Sequence, residues 1–301
     1  MPLIEKIYER LYKLMVNNKI NIILDTDTYN ECDDQFALAY LLKYQHKFNI
    51  EAITIAPFQN HWISSDDSGI ELSYQEAKTI CKLSGVNSTN LIFKGATNYI
   101  SNGYHEKNDA VNKIIQIALK NEKTYILGIG AITNIALAIM YEPKIINKIE
   151  IMWLGGHTLL NKNNLHEANF KDVEAVKTVF KSNVKLTIIP CRGVASNLYT
   201  TIYELDNCIK GKSELCNFLY NRFEKVVNER EIIPRWRLWD ISVIAYIVNK
   251  NWFETFETTC PDINSDTSYS INSNNRKITM VNYFDTCKIY EDLFKKLGEL
   301  K

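Results

Sequence analysis

The sequence lacks several features that would place a protein in a special class. Its 301 residues contain no apolar run near the roughly 18 residues that a membrane span needs. Lysine plus arginine equals aspartate plus glutamate at 35 each, so no charge excess indicates binding to nucleic acid or to an anionic membrane. Linkers, internal repeats and low-complexity blocks are also missing. We therefore expect one domain over residues 1–301.

The cysteines lack the spacing of a disulfide framework or a structural zinc site. There are seven, widely scattered, with no C-x-x-C pair, and this pattern favours a reducing compartment. A signal-peptide pattern is absent too, because Ile4, Ile7, Leu11 and Leu14 alternate with charged residues as in an amphipathic helix. Apolar residues make up 46% of the chain, which is ordinary for a globular protein. The sequence predicts a cytoplasmic globular protein.

Strand and helix patterns alternate along the chain. Short apolar runs rich in β-branched residues predict strands at 20–24, 50–56, 91–93, 123–128, 149–154 and 184–189. Helical spacing of apolar residues predicts helices at 73–83, 109–119, 132–140, 172–180, 213–228 and 240–248. A late strand at 277–282 precedes a last helix capped by Asp285. This alternation predicts an α/β fold with an open, mostly parallel central sheet and helices on both faces.

An acidic segment lies where the first strand meets the first helix. Four aspartates follow the strand within ten residues: Asp25, Asp27, Asp33 and Asp34. Helical spacing then begins, with Phe36, Leu38, Ala39, Leu41 and Leu42 expected on one face. Ligands of open α/β sheets bind at the carboxyl ends of the strands. Helix capping with solvated charge is one explanation of these carboxylates. Four of them exceed what capping requires, so a hard divalent cation such as Ca²⁺ is the simplest candidate to offset their repulsion.

This segment resembles the hallmark D-x-D-P-G-x-D-D of the nucleoside hydrolases, the inosine–uridine-preferring N-ribohydrolases. Here two extra residues lie between the second aspartate and the pair, and Pro-Gly is missing. Three later segments resemble the family's G-P-L-T-N, M-G-G with E-F-N, and H-D segments. They are 129–134, 153–156 with 167–169, and 239–240. The four matches follow the family's order over about residues 20–245.

The resemblance implies Ca²⁺-dependent hydrolysis of the N-glycosidic bond of a ribonucleoside, which gives ribose and free base. The implied Ca²⁺ ligands are the carboxylates of Asp27, Asp34 and Asp240 and the main-chain carbonyl of Ile129. Asp27 would also take a proton from the water that attacks the anomeric carbon. Family members are commonly dimers or tetramers, so a homo-oligomer is expected.

The resemblance also implies the groups that bind the ribose hydroxyls. These are Asp33, Asn161, Glu167 and Asn169. A further contact would come from Asn60 or its neighbour Gln59, which follow the second strand; Pro57-Phe58 replaces the family's Gly-Asn there, so both remain candidates. Carboxylates and amide carbonyls suit this reaction because the ribosyl group becomes oxocarbenium-like in the transition state.

The residue before Asp240 departs from the family pattern. Many members have a histidine there that helps protonate the leaving base, whereas this chain has Trp239. We hypothesise that Trp239, with Trp62 or His61, stacks on the base while another group or solvent protonates it. His157 and His166 are candidate acids, and solvation is the alternative for both. Core packing is the alternative role of Trp239.

Three other functions compete with this interpretation. Haloacid-dehalogenase-like phosphatases also place D-x-D after a first strand, although Asp33-Asp34 has no role there. A non-catalytic protein that keeps the Ca²⁺–ribose site is the second. The third is a hydrolase of another ribosyl or pentosyl compound, because the expected contacts recognise the sugar and leave the aglycone open.

Overall fold

An eight-stranded sheet forms the centre of the protein. The computed structural model describes residues 19–59, 66–160, 169–230, 233–264 and 266–299. The predicted opening helix and the candidates Asn60, Asn161 and Glu167 lie outside these residues, as do His61, Trp62 and His166.

The strands number twelve in the described residues. In chain order they are β1 (Ile20–Thr26), β2 (Phe48–Ile55), β3 (Ile92–Lys94), β4 (Thr124–Gly128), β5 (Ile149–Leu154), β6 (Lys185–Ile189), β7 (Tyr199–Thr201), β8 (Arg235–Arg237), β9 (Phe253–Thr259), β10 (Asp262–Ile263), β11 (Tyr269–Ser270) and β12 (Lys277–Phe284). The main sheet has the order β3-β2-β1-β4-β5-β6-β12-β9, and β7 with β8 and β10 with β11 form two small antiparallel pairs. All neighbours in the main sheet are parallel except β12 and β9.

Helices connect the parallel strands. Those of the described residues are α1 (Asp33–Leu42), α2 (Asp66–Leu83), α3 (Asp109–Lys120), α4 (Thr133–Tyr141), α5 (Val173–Lys181), α6 (Ile202–Cys208), α7 (Glu214–Arg230), α8 (Ile241–Val248) and α9 (Thr286–Gly298). Alternate residues of β1 face opposite sides, since Ile22 and Leu24 pack in one apolar cluster and Ile23 in another. The predicted α/β class, with a mostly parallel sheet covered on both faces, is confirmed. Within the residues that the structure describes, no helix is both long enough and apolar enough to cross a membrane.

Most predicted elements are confirmed, and the short elements β7, β8, β10, β11 and α6 were not predicted. Three further differences have a physical explanation. Helix α2 begins at Asp66, before the predicted start at residue 73, because its first turns lack the apolar spacing used for the prediction. Strand β9 was not predicted, since it is a polar edge strand that alternates poorly and is largely exposed. The one-sided apolar face expected for α1 is wrong, because every residue from Asp33 to Leu42 is buried. Helix α1 packs between α2, α8 and α9, so it is covered on all sides.

The order of the strands explains where a ligand site can form. The chain passes from β1 to β2 and β3 on one side, then returns to add β4 on the other side of β1. Connections that leave neighbouring strands in opposite directions open a crevice at the carboxyl ends of the strands. Asp25 of β1 pairs in register with Gly128 of β4 at this end. The acidic segment after β1 therefore begins at the crevice.

A buried carboxylate, Asp172, joins the segment at 100–101 to the starts of α4 and α5. It accepts hydrogen bonds from the main-chain N–H groups of Ile100 (2.8 Å), Ser101 (3.0 Å) and Ala175 (3.2 Å) and from the hydroxyls of Ser101 (2.9 Å) and Thr133 (2.7 Å). Both oxygens are surrounded by donors, and the residue has no exposed surface. Asp172 thus caps α5 and ties it to the start of α4.

We expect Asp172→Asn to lower the free energy of unfolding by about 3 kcal/mol, because one oxygen that accepts buried donors becomes an NH₂ group. The matched change Asp109→Asn alters an exposed aspartate at the start of α3 and should cost less than about 0.5 kcal/mol. Urea unfolding followed by circular dichroism measures both. Equal losses would contradict the role assigned to Asp172.

Candidate active site

Three buried carboxylates meet where α1 and α8 begin. Oxygen atoms of Asp33, Asp34 and Asp240 all lie within 4.8 Å of one another. Asp33 and Asp34 form the first turn of α1, and Asp240 is the residue before α8. Because α1 packs against α8, residues more than two hundred positions apart share one site. The tertiary structure thus brings together aspartates from both halves of the chain.

Hydrogen bonds fix two of these carboxylates, those of Asp33 and Asp34. The Thr26 hydroxyl donates to Asp34 Oδ1 over 2.5 Å, and the main-chain N–H of Trp239 donates to Asp33 Oδ2 over 3.1 Å. An aspartate whose oxygens receive such bonds is held in one orientation. Thr26 is the last residue of β1, so the strand end itself aims Asp34.

Asp27 lies beside this group but is not one of the three. It is 4% exposed, and its negative charge is among the causes that raise the pKa of Asp34 and of Asp240. Asn30 donates its side-chain amide to Asp27 Oδ2 over 3.0 Å. A Cβ at Gly130 would lie 3.0 Å from Asp27 Oδ1, so the glycine lets this carboxylate approach the loop after β4. Asn30 lies in the stretch that replaces the family's Pro-Gly, and no sequence pattern had singled it out.

The carbonyl of Ile129 and the side chain of Asn169 contact each other directly. Asn169 Nδ2 donates to the carbonyl oxygens of Ile129 (3.0 Å) and of Leu154 (2.8 Å). Asn169 therefore joins the carboxyl ends of β4 and β5. It has a φ of 62°, in the left-handed region that asparagine tolerates better than most residues. A carbonyl oxygen has two lone pairs, so the bond from Asn169 leaves Ile129 able to ligate a cation as well.

Asp25 lies at the carboxyl end of β1, but its side chain is used in structural hydrogen bonds. It is fully buried, and its Oδ1 accepts from the Thr54 hydroxyl (2.6 Å) and from Asn134 Nδ2 (3.0 Å). Asn134 also donates to the Ile55 carbonyl and accepts from the main-chain N–H of Ala96. Asn134 therefore bonds to main-chain groups as well as to Asp25. Together these groups tie the ends of β1 and β2 to the start of α4.

Burial gives the cluster an unusual electrostatic state. Desolvation is the largest cause of each shift and raises the pKa of Asp25, Asp27 and Asp33 from 3.8 to about 7. The pKa values of Asp34 and Asp240 are also raised well above 3.8, first by desolvation and then by the charges of the neighbouring aspartates. Closely packed carboxylate oxygens with little water are the donor set that suits a hard divalent cation. The residues present therefore fit a metal site.

A cavity of about 760 Å³ adjoins the cluster on the side of Trp239. Its lining includes Glu31, His157, Arg192, Tyr199, Arg237 and Trp239. The side chain of Trp239 is half-buried and packs partly against the core, so it both packs and faces the cavity. His157 is buried, which corrects the alternative that it is solvated. Gln59 is exposed, and its carbonyl accepts from Lys171.

The chain matches a known protein family. The family model of the inosine-uridine preferring nucleoside hydrolases matches residues 22–285. The chain belongs to this family. No curated protein matches the chain significantly.

Solved nucleoside hydrolases share the fold over nearly the whole chain. A plant nucleoside hydrolase is 16% identical, with a TM-score of 0.76 over 93% of this chain and 99% of its own. An inosine-uridine preferring nucleoside hydrolase from Bacillus anthracis is 18% identical, with a TM-score of 0.73 over 93% and 100%. A purine-preferring ribonucleoside hydrolase from Gardnerella vaginalis is 19% identical, with a TM-score of 0.70 over 92% and 98%. At such identities the likeness shows the fold alone.

The resemblance inferred from the four sequence segments is thus confirmed, and with it the class of enzyme, an N-glycosyl hydrolase. The family is metal-dependent, and the aspartate cluster of this nucleoside hydrolase can bind a metal ion.

We expect the chelated protein to lose stability as the pH rises from about 4 to about 7. In this range the folded carboxyls, with pKa values near 7, hold protons that the unfolded chain, with values near 3.8, has released. Bound Ca²⁺ replaces these protons, so it should raise Tm more at pH 8 than at pH 5.

Thermal melting with EDTA or CaCl₂ at the two pH values measures this effect. Asp240→Asn should shrink the rise caused by Ca²⁺, whereas Asp109→Asn should keep it. A rise of equal size at both pH values would show that the ion does not replace protons on the buried carboxyls.

Proposed function

We propose that this protein hydrolyses the N-glycosidic bond of a ribonucleoside to ribose and free base, with Ca²⁺ as its cofactor. The observation that carries the proposal is the buried group of Asp33, Asp34 and Asp240 with Asp27 beside it, at the carboxyl edge of the sheet. Asp27, Asp34, Asp240 and the carbonyl of Ile129 would hold the ion. When bound, the cation lowers the pKa of water so that a nucleophile forms near neutral pH.

Asp27 is the proposed base that takes the proton from the attacking water. A general base must lie within hydrogen-bond reach of that water, and a rigid carboxylate meets this condition best. The bond from Asn30 and the close packing allowed by Gly130 restrict the orientation of Asp27. The proton moves to a carboxylate oxygen as the water oxygen bonds to the anomeric carbon.

Ribose binding is assigned to acidic and amide side chains around the crevice. Asp33 is the proposed partner of ribose hydroxyls in the described part of the site, with Asn169 next to it through the Ile129 carbonyl. Asn60, Asn161 and Glu167 remain proposed partners on the basis of the family resemblance. Carboxylates close to the ring stabilise the positive charge that develops as the bond to the base breaks.

Trp239 is proposed to stack on the leaving base. Its indole lines the cavity while its main-chain N–H holds Asp33, so the proposed sugar and base positions are adjacent. An aromatic face binds any base with little selectivity. The preference for purines or pyrimidines then depends on other residues of the cavity.

Two other functions are weighed against this proposal. The family match leaves the haloacid-dehalogenase-like phosphatase without support. A non-catalytic protein that keeps the Ca²⁺ and ribose contacts remains the second candidate, because the family's leaving-group histidine is replaced by Trp239. Calorimetry that detects nucleoside binding without release of base would favour it.

The compartment and the assembly state are part of the proposal. All seven cysteines are free, which supports a reducing, cytoplasmic environment. We also propose a homo-oligomer, dimer or tetramer, as is common in the family. Sedimentation velocity of the purified chain measures its oligomeric state directly.

We expect free ribose from a panel of purine and pyrimidine nucleosides, and no ribose after EDTA treatment until Ca²⁺ is restored. Asp27→Asn should lower kcat by about 10²- to 10⁴-fold, because it removes the general base. Asp109→Asn makes the same substitution at an exposed aspartate outside the site and serves as the control. Turnover that resists the chelator would remove the metal from the mechanism.

Trp239→Ala should raise KM and lower kcat for nucleosides with poor leaving groups, by roughly fivefold to hundredfold in kcat/KM, since one stacking contact is lost. Trp239→Phe keeps an aromatic face and should recover much of the loss. If both variants retain wild-type kinetics, Trp239 has only a packing role.

A further inference from the structure

The cavity beside the aspartate cluster differs from it in charge. Two arginines, Arg192 and Arg237, line it together with a single acid, Glu31, among the described lining residues. A neutral nucleobase needs no such pair of guanidinium groups. The charge of the cavity therefore bears on the kind of substrate that the proposed ribohydrolase takes.

Arg237 is held in a fixed orientation by two indoles. Its guanidinium carbon lies 4.4 Å from the ring centroid of Trp236 and 4.6 Å from that of Trp239. Strand β8, which carries Arg235, Trp236 and Arg237, pairs with β7 and anchors this arrangement. Stacking orients the guanidinium plane and leaves its in-plane N–H groups as donors.

Two buried donors next to this stack have no acceptor among the described residues. They are Nε of Arg237 and Nε1 of Trp239. Glu31 forms an ion pair with Arg237, with 3.7 Å between its Oε1 and Nη2, a distance longer than a hydrogen bond. Buried donors are normally paired, so this part of the lining lacks acceptors of its own beside Arg237.

The loop that carries Arg192 is pinned in place. Its main-chain N–H donates to Nδ1 of His157 over 3.3 Å, and the two residues form a parallel bridge. Gly193 follows with a φ of 91°, in the left-handed region, which turns the chain after Arg192. The loops after β5 and β6 thereby form one wall of the cavity, with Arg192 in it.

We propose that the substrate of this site carries an anionic group, a carboxylate or a phosphate, that Arg237 and Trp239 bind and that Arg192 attracts. This inference rests on the proposed ribohydrolase function and narrows its substrate class. The oxygens of such a group accept from the guanidinium group of Arg237, which lines the cavity, and the charge of Arg237 strengthens these bonds. A carboxylate on the base and a phosphate on the 5′ carbon of ribose are the two sources of this chemistry.

Three matched compounds test the proposal. They are uridine, orotidine (uridine with a carboxylate on C6 of the base) and uridine 5′-monophosphate, each assayed for release of its base with the Ca²⁺-loaded protein. We expect one anionic compound to exceed uridine at least tenfold in kcat/KM. Orotidine in first place assigns the anion to the base, and the monophosphate assigns it to the sugar.

Variants of Arg237 then identify the residue responsible. Arg237→Met should lower kcat/KM for the preferred anionic compound by about tenfold to hundredfold, and that loss should exceed the loss for uridine at least tenfold. Arg237→Lys keeps the charge without the planar fork and should fall between the two. Arg235→Met, an exposed neighbour on the same strand and outside the cavity, is the control for loss of one positive charge.

A binding measurement guards against a folding defect in these variants. Orotate or inorganic phosphate should inhibit wild-type turnover of uridine more strongly than uracil does, and Arg237→Lys should weaken that inhibition while melting like the wild type.

Equal losses of kcat/KM on charged and neutral compounds would mean that Arg237 only offsets the charge of Asp33, and the proposal would be wrong. Preference for uridine over both anionic compounds would also overturn it. Failure of every compound, inosine included, to release base would instead refute the ribohydrolase function itself.

Discussion

The burial of several like charges at one point is the constraint on which the site depends. Asp33, Asp34 and Asp240 are taken out of water and placed within 4.8 Å of one another, which opposes ionisation of all three. The starts of α1 and α8 offset part of this repulsion, because the positive ends of two helix dipoles face the carboxylates. Hydrogen bonds from Thr26 and from the N–H of Trp239 offset another part. Protons or a divalent cation can neutralise the repulsion that remains. The stability of the fold around the cluster therefore depends on pH and on the concentration of such a cation.

The framework around the cluster is rigid for a related reason. Asp25 and Asn134 join the ends of β1 and β2 to the start of α4 through buried bonds, and Asn169 joins the ends of β4 and β5. Asn134 and Asn169 bond to main-chain groups where strands stop, and Asp25 bonds to the side chains of Thr54 and Asn134. The carboxyl edge of the sheet is thereby held together by amide and carboxylate groups, and Asp27 is presented from an edge that cannot easily rearrange.

The two halves of the site differ in charge and meet at Trp239. Its backbone holds an aspartate of the acidic cluster, and its ring stacks on Arg237 of the neighbouring cavity. A sugar that requires carboxylates and a substituent that requires guanidinium groups would be bound side by side. In the proposed function, Trp239 would thus connect recognition of the ribosyl group to recognition of the group attached to it.

The sequence by itself determined the α/β class, most of the strands and helices, and the family, because apolar periodicity and ordered motifs such as Asp33-Asp34 and Trp239-Asp240 are local properties of the chain. It did not reveal that α1 is buried on all sides, that Asn30 bonds to Asp27, or that Arg237 lies between two indoles. Only the tertiary structure decided these points. The burial of α1 depends on contacts between distant elements. The contacts of Asn30 and Arg237 are local, but they depend on backbone and side-chain conformations that residue spacing does not specify.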